Sequence, residues 1–198
     1  MSESEYNRDQ RTTLEAVNAA LARLSEAERD AIRETIQPYL RFRDAVDRFF
    51  KEVFLAKCTK ACFETGLSAC CGFESIITFA SDHAINLLFS EPERIAALID
   101  VLRRPNLSGK CVYLGPSGCL WSVRPISCAM FLCGQVKSLV FGDVKEREEE
   151  WSRLQTDEKA FTFPDQPVLF DSLESRLIEL GVESPHLFFH RSPGLLLV

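Results

Sequence analysis

Residues 111–133 read CVYLGPSGCLWSVRPISCAMFLC. They contain four of the eight cysteines of this 198-residue chain, and the other four lie upstream, within residues 58–71. Thiolates are soft, strongly binding ligands of zinc and of iron–sulfur clusters. Two short cysteine groups in an otherwise ordinary composition therefore predict a metal or iron–sulfur site.

The same residues predict a small β-hairpin. Residues 112–114 and 120–121 are apolar or aromatic, and residues 115–118, with the sequence GPSG, are typical of a turn. A hairpin of this kind holds Cys111 and Cys119.

Outside this hairpin, apolar residues recur at helical spacing. A first helix begins near Leu14 and ends near Ser25, which forms a capping box with Glu28 at the start of a second helix. The second helix meets Pro38, and the aromatic face that follows leads into Cys58. Further helices are predicted at residues 81–88, 92–102, about 144–160, and 169–180 before Gly181. The expected fold is mostly α with a small β-hairpin, in a single compact metal-stapled domain.

The length and the apolar content fit one domain without internal repeats. We divide it into an N-terminal helical arm (12–57), a cysteine-cluster metal-binding core (58–133), and a C-terminal helical segment and tail (134–198). Residues 72–110 separate the two cysteine groups, so a site closed between them would tie the N-terminal helices to the hairpin. Structural metal binding contributes on the order of 10 kcal/mol to a small fold.

Charge and hydropathy exclude two kinds of partner. A net charge of −6 without a Lys/Arg run argues against nucleic acid. No apolar run approaches the roughly 18 residues that suggest a membrane span. The acidic, polar start MSESE lacks the pattern of a secretory signal, which predicts a cytoplasmic protein. Thiols are kept reduced in that compartment, so we expect the cysteines to bind metal or carry redox chemistry rather than staple the fold as disulfides.

The cysteine spacing narrows the kind of metal site. There is no Cys-x2-Cys pair, the usual building block of tetrahedral structural zinc sites. Cys58-x3-Cys62 matches the start of a radical-SAM loop, but Thr65 stands where a third cysteine is required. Bacterial and plant-type ferredoxin spacings are also absent. The remaining irregular thiolate set fits an iron–sulfur cluster somewhat better than Zn²⁺.

Cys70 and Cys71 are adjacent, which restricts their geometry. Neighbouring side chains point about 100° apart on a helix and to opposite faces on a strand. Either one of the two is a ligand and the other packs as a small apolar residue, or they serve different metals or a multinuclear cluster.

The order of these motifs resembles the YkgJ-type cysteine cluster family, which is described as zinc- or iron-chelating. The matching elements are Cys58-x3-Cys62-x7-Cys70-Cys71, Cys111-Val-Tyr-Leu, Gly118-Cys119 and Arg124-Pro125-Ile126-Ser127-Cys128. The resemblance covers residues 58–133. The family's usual opening is Cys-x2-Cys-x2-Cys-Cys, so the first two gaps are longer here.

The resemblance implies a metal-chelating bacterial protein, and the wider group includes a flagellin lysine N-methylase. It implies seven ligand positions, namely Cys58, Cys62, Cys70, Cys71, Cys111, Cys119 and Cys128. We add Cys133 as an eighth candidate ligand, with the alternative that it stands outside the site. Arg124 matches the family's Arg-Pro element and would either donate hydrogen bonds to cluster sulfurs or pair with a carboxylate.

The histidines give a weaker signal. His186 and His190 would share a face of a helix, but Pro185 and Pro193 bracket them, and no Glu lies between them as in a zinc protease. We therefore interpret the pair as surface or partly buried, and His83 as structural. Phosphate loops, dinucleotide glycine fingerprints and Gly-x-Ser-x-Gly elbows are absent from the sequence.

Three functional hypotheses follow. The preferred one is a metal-binding protein that carries an iron–sulfur cluster or zinc and serves electron transfer, metal handling or redox sensing. The second is a cluster-dependent protein-modifying enzyme similar to a lysine N-methylase. The third is a zinc-stapled interaction module that binds a protein partner through residues 12–57.

Overall fold

The computed structural model describes residues 4–58, 72, 76–105, 109–115, 118–142, 144–162 and 168–187. Helices dominate this part of the chain, and a small antiparallel hairpin accompanies them, as the sequence predicts. The helices are α1 (Glu5–Ala22), α2 (Glu26–Val53), α3 (Leu55–Cys58), α4 (Ala80–Phe89), α5 (Pro92–Leu102), α6 (Ile126–Ala129), α7 (Gly134–Phe141), α8 (Lys145–Thr162) and α9 (Leu169–Glu179). The hairpin strands are β1 (Leu114–Gly115) and β2 (Gly118–Cys119).

Local sequence signals set several of the helix ends. The predicted capping box is present: the Glu28 amide donates to Ser25 Oγ at 3.3 Å, and the Ser25 amide donates to Glu28 Oε2 at 2.9 Å. Pro92 occupies the first turn of α5, where its missing N–H costs nothing. Gly181 follows α9 with a φ of 75°, a left-handed conformation that favours glycine.

Helix α2 continues through Pro38, which lies inside it. A proline in a helix interior removes one backbone hydrogen bond and costs roughly 3 kcal/mol. Ile36 precedes this proline and Tyr39 and Val46 follow it, and all three are fully buried. Burial of each such side chain contributes about 1.5–3 kcal/mol, so packing on both sides of Pro38 offsets its cost.

The buried side chains form two clusters. The larger one joins α1, α2, α4, α6, α7, α8 and α9. Its aromatic contacts include Phe49 with Trp151 at 5.8 Å and Tyr39 with Phe170 at 5.4 Å between ring centroids. The smaller one joins α1, α5 and the hairpin region, through Leu14, Leu98, Leu102, Cys111, Tyr113 and Trp121. The cysteine hairpin is therefore packed against α1 and α5.

Residues 111–141 depart from the sequence prediction in two ways. The hairpin is shorter than predicted, because residues 112–113 form a turn in which the Leu114 amide donates to the Cys111 carbonyl at 3.0 Å. Helices α6 and α7 were not predicted. A four-residue helix such as α6 is too short to show a 3.6-residue period, so its apolar residues do not predict a helix.

Within the described ranges, none of the helices is long and apolar enough to cross a membrane.

Glu158 on α8 is a partly buried carboxyl group whose charge the fold disfavours. Burial raises the pKa of Glu158 from 4.5 to about 7, against the opposing effect of Arg43. The folded state thus disfavours the charged carboxylate, and stability present below pH 4.5 is lost as the pH rises through 7. We expect Glu158→Gln to leave the free energy of unfolding nearly unchanged at pH 4 and to raise it by about 2 kcal/mol at pH 8. Urea unfolding at both pH values measures this.

The matched control is Glu146→Gln, an exposed position on the same helix, whose effect should be small at both pH values. Equal stability of wild type and Glu158→Gln at pH 8 would show that the carboxylate is well solvated in the folded protein.

Candidate functional site

The four cysteines of residues 111–133 fall on two parts of the fold. Cys111 is buried in the smaller cluster, and Cys119, at the end of β2, packs against the same cluster. Cys128 is half-buried on α6. Cys133 immediately precedes α7 and packs against the larger cluster instead. Cys133 thus belongs to a different packing unit from Cys111 and Cys119.

Tyr113 is buried and lies within electrostatic range of the other three cysteines. Its pKa is raised well above the usual value, chiefly by burial, with Tyr6 and the thiols of Cys111, Cys119 and Cys128 adding to the shift. The Tyr113 amide also donates to Cys111 Sγ at 3.4 Å. Two cysteines of the hairpin region and one on α6 therefore lie within electrostatic reach of one phenol.

An isolated β-bridge joins two residues that border the cysteine groups in the sequence. Gly72 pairs antiparallel with Lys110. In the sequence, Gly72 directly follows Cys71, and Lys110 directly precedes Cys111. The bridge thus joins the residue that follows the first cysteine group to the residue that precedes the second.

Of the first cysteine group, only Cys58 lies among the residues that the structure describes. Cys58 is the last residue of α3, which directly follows α2 and Phe54. Cys62, Cys70 and Cys71 lie outside the described residues, as does His190. Among the residues that are described, no three His, Cys, Asp or Glu side chains are placed so that they could hold a metal ion. A complete ligand set is thus not present within this part of the chain.

Tyr113 is anchored to α1 and to the segment before α4 by a buried polar chain. Its hydroxyl donates to Gln10 Oε1 at 2.8 Å, and Gln10 Nε2 donates to Thr78 Oγ1 at 2.8 Å. The carbonyl of Thr78 accepts from His186 Nδ1 at 2.9 Å. These contacts fix the hairpin side of the site against α1 and against residues 184–187.

The backbone before Cys128 is held by buried side chains of α2 and α4. Asn86 donates to the Val123 carbonyl at 2.8 Å and accepts from the Val123 amide at 3.0 Å. Asp82 Oδ1 accepts from the Ile126 amide at 3.1 Å. Arg43 Nη1 donates to the Arg124 carbonyl at 2.6 Å. We call Arg43, Asp82 and Asn86 the loop clamp.

Within the loop clamp, the fold disfavours the charged form of Asp82. It is fully buried, and burial raises its pKa from 3.8 to about 6, although hydrogen bonds from the amides of Phe79 and Ile126 and the charge of Arg43 act in the opposite direction. Its two oxygens accept from two separate backbone segments. Asp82 therefore joins the start of α4 to the start of α6.

The side chain of Arg124 points to a carboxylate. Its Nη2 lies 2.8 Å from Asp47 Oδ1 on α2, and its guanidinium lies 4.8 Å from the centre of the Phe50 ring. Of the two roles that the sequence left open, the carboxylate pair is the contact that the structure shows. This pair is half-exposed, so it contributes less than about 1 kcal/mol.

His83 is buried in the wall of the smaller cluster. Its ring lies 5.1 Å from Trp121 and 6.0 Å from His186, between ring centroids. Neither ring nitrogen has a hydrogen-bond partner in the described part of the chain. Burial, with a smaller effect from His186, lowers the pKa of His83 from 6.5 to about 3. His83 is thus a neutral structural residue, as predicted, whereas His186 is more buried than the sequence suggested.

An open groove of about 410 Å³ lies between α2 and α9. Its lining includes Glu28, Ile32, Leu173 and Arg176, and the described residues that line it include neither cysteine nor histidine. The groove is thus formed by the N-terminal arm and the C-terminal segment rather than by the cysteine region.

Comparisons with family models, curated proteins and solved structures found no match. The resemblance to the YkgJ-type cysteine cluster family therefore stays a prediction from the motifs.

Proposed function

We propose that this chain is a metal-binding protein that holds an iron–sulfur cluster, or alternatively Zn²⁺, through cysteine thiolates. The observation that supports it most directly is that Cys111 and Cys119 pack in the same cluster as Tyr113, with Cys128 within electrostatic range of that phenol. Soft thiolate donors beside an apolar cluster suit either metal. The proposed ligands from the first group are Cys58, Cys62, Cys70 and Cys71.

The Gly72–Lys110 bridge supports the participation of both groups. Consecutive Cα atoms are about 3.8 Å apart, so Cys71 is one residue from one side of the bridge and Cys111 one residue from the other. A site that draws ligands from both groups would therefore need no long-range movement at this point. Cys133 packs elsewhere, which favours the alternative that it stands outside the site.

The surrounding residues suit a thiolate site. The Tyr113 amide at 3.4 Å from Cys111 Sγ would stabilise negative charge on that sulfur. Hydrogen bonds to sulfur and burial are two of the factors that set the reduction potential of an iron–sulfur cluster. The cluster would supply one-electron chemistry, suited to electron transfer or redox sensing. Zinc would be structural, or the cargo of a metal-handling protein. We propose a cytoplasmic location, because the thiols must stay reduced.

Anaerobic purification followed by metal analysis and visible absorption tests the proposal. We expect iron, acid-labile sulfide and a brown protein. Stoichiometric zinc without a visible band would replace the iron–sulfur assignment with the zinc alternative. Protein that contains neither metal, and takes up neither after reduction and reconstitution, would refute metal binding.

The groove between α2 and α9 favours one second candidate, the zinc-stapled interaction module. One wall of the groove is α2 of the N-terminal arm, which the sequence suggested as a partner surface, and the other wall is α9; Glu28 and Arg176 line it. A colourless zinc protein would favour this candidate.

A further inference from the structure

We infer that Asn86 and Asp82 are positioning residues that fix the Cys128 thiol at the cysteine site. This inference rests on the proposed function, in which Cys128 is a metal ligand. It concerns what sets the location of that ligand.

The segment before Cys128 has little regular structure to hold it. Residues 120–125 lie between β2 and α6 and belong to neither. α6 itself is four residues long, and its backbone-to-backbone hydrogen bonds among the described residues run to Pro125 and Ile126 within the same segment. Its Ser127 hydroxyl donates to the Ile77 carbonyl outside that segment. The position of Cys128 relative to the rest of the fold must therefore come from contacts with other elements.

Asn86 supplies the most specific of these contacts. Its amide group donates to and accepts from the same residue, Val123, as a neighbouring β-strand would. A second bond from its Nδ2 to the Asp82 carbonyl, at 3.0 Å, fixes the rotamer. Asn86 is 1% exposed. A buried side chain with both its donor and its acceptor engaged allows little displacement of Val123.

Asp82 fixes the other end of the segment. Asp82 accepts a hydrogen bond from the amide of Ile126, which is the first residue of α6 and lies two positions before Cys128. That amide has no partner within a helix so short, so Asp82 acts as its cap. Asn86 and Asp82 lie one turn apart on α4, and together they hold Val123 and Ile126 at a fixed spacing.

Ser81 provides a matched control on the same helix. It is fully buried, and its hydroxyl donates to the Phe170 carbonyl of α9 at 3.1 Å rather than to the cysteine segment. Ser81→Ala therefore removes a buried hydrogen bond of α4 without touching residues 120–128.

The test compares wild type, Asn86→Ala, Asp82→Asn and Ser81→Ala in two measurements. The first is the alkylation rate of Cys128 relative to Cys133 in metal-free, reduced protein, followed by peptide mass spectrometry. We expect Asn86→Ala to raise this ratio several-fold and Ser81→Ala to leave it unchanged. The second is affinity for Zn²⁺, measured by competition with a chelator. A loss of about tenfold or more is expected for Asn86→Ala but not for Ser81→Ala, as for other residues that orient metal ligands.

Asp82→Asn keeps the size of the side chain but can accept from only one of its two amide partners, so it serves if Asn86→Ala does not fold. Unchanged Cys128 to Cys133 ratios in the folded clamp variants would overturn the inference, as would equal changes in Ser81→Ala. Failure of the proposed function would give a different result, because wild-type protein would then bind neither zinc nor iron. The alkylation ratios would still show whether Asn86 and Asp82 fix the position of Cys128.

Discussion

Replacement of Cys128 or Cys119 by serine is expected to abolish stoichiometric metal binding and to destabilise the fold severely. Serine is nearly isosteric with cysteine, but its hydroxyl stays protonated and is a poor ligand for soft metals. Structural metal binding contributes on the order of 10 kcal/mol to a small fold, which is comparable to the entire stability of a typical domain. Metal content after anaerobic purification and the thermal unfolding midpoint measure the two effects.

Cys133→Ser is the matched comparison, because Cys133 has the same chemistry but packs against the larger cluster. We expect this variant to keep its metal. Full metal content in both Cys119→Ser and Cys128→Ser would refute their assignment as ligands. Loss of metal in Cys133→Ser would instead extend the site to α7.

The parts of the fold that were predictable are those with local causes. The capping box at Ser25 and Glu28, the proline at the start of α5 and Gly181 after α9 each act within one or two turns of helix. Their physics is therefore contained in a few consecutive residues. The hairpin follows the same rule, because the glycines at positions 115 and 118 lie opposite each other at its turn.

The parts that were missed depend on distant partners. Gln10, Asp82 and Asn86 are polar, yet they are almost completely buried. Hydrophobic periodicity places polar residues outside, so it cannot reveal a buried polar stripe. The bond from Tyr113 to Gln10 joins residues 103 positions apart. The residues next to Gln10 in the sequence do not indicate this partner.

The candidate site divides in the same way. The prediction that Cys111 and Cys119 share a small hairpin region came from turn chemistry, and the structure places both against one cluster. The surroundings of Cys128 were not predictable, since they are set by α2 and α4. Arg124 illustrates the limit, because an Arg-Pro motif cannot tell whether the guanidinium faces sulfur or, as here, Asp47.

His83→Leu is expected to remove a large acid sensitivity from the protein. Burial holds the pKa of His83 at about 3, against 6.5 for an ordinary histidine. The stability associated with the neutral ring is fully present above pH 6.5 and is lost as the pH falls from 6.5 towards 3, because only the unfolded chain takes up the proton in that range. The loss is about 1.4 kcal/mol per pH unit, or on the order of 5 kcal/mol over the whole range.

The measurement must separate the effect of the His83 ring on the pH dependence of stability from the opposite effect of two carboxyl groups. The pKa values of Asp82 and Glu158 are raised to about 6 and about 7, so both groups stabilise the fold as the pH falls through those values. They are present in wild type and in His83→Leu alike and cancel when the two proteins are compared.

The free energy of unfolding, measured with urea at pH 7 and pH 5, should fall by about 2 kcal/mol more in wild type than in His83→Leu. At pH 7 the substitution should cost little, because neither nitrogen of the lost ring has a hydrogen-bond partner among the described residues. Ser81→Ala, a buried and non-titrating change on the same helix, should follow the pH dependence of wild type. Parallel curves for wild type and His83→Leu would mean that the folded protein accommodates a charged ring beside Trp121, which the apolar packing at that position opposes.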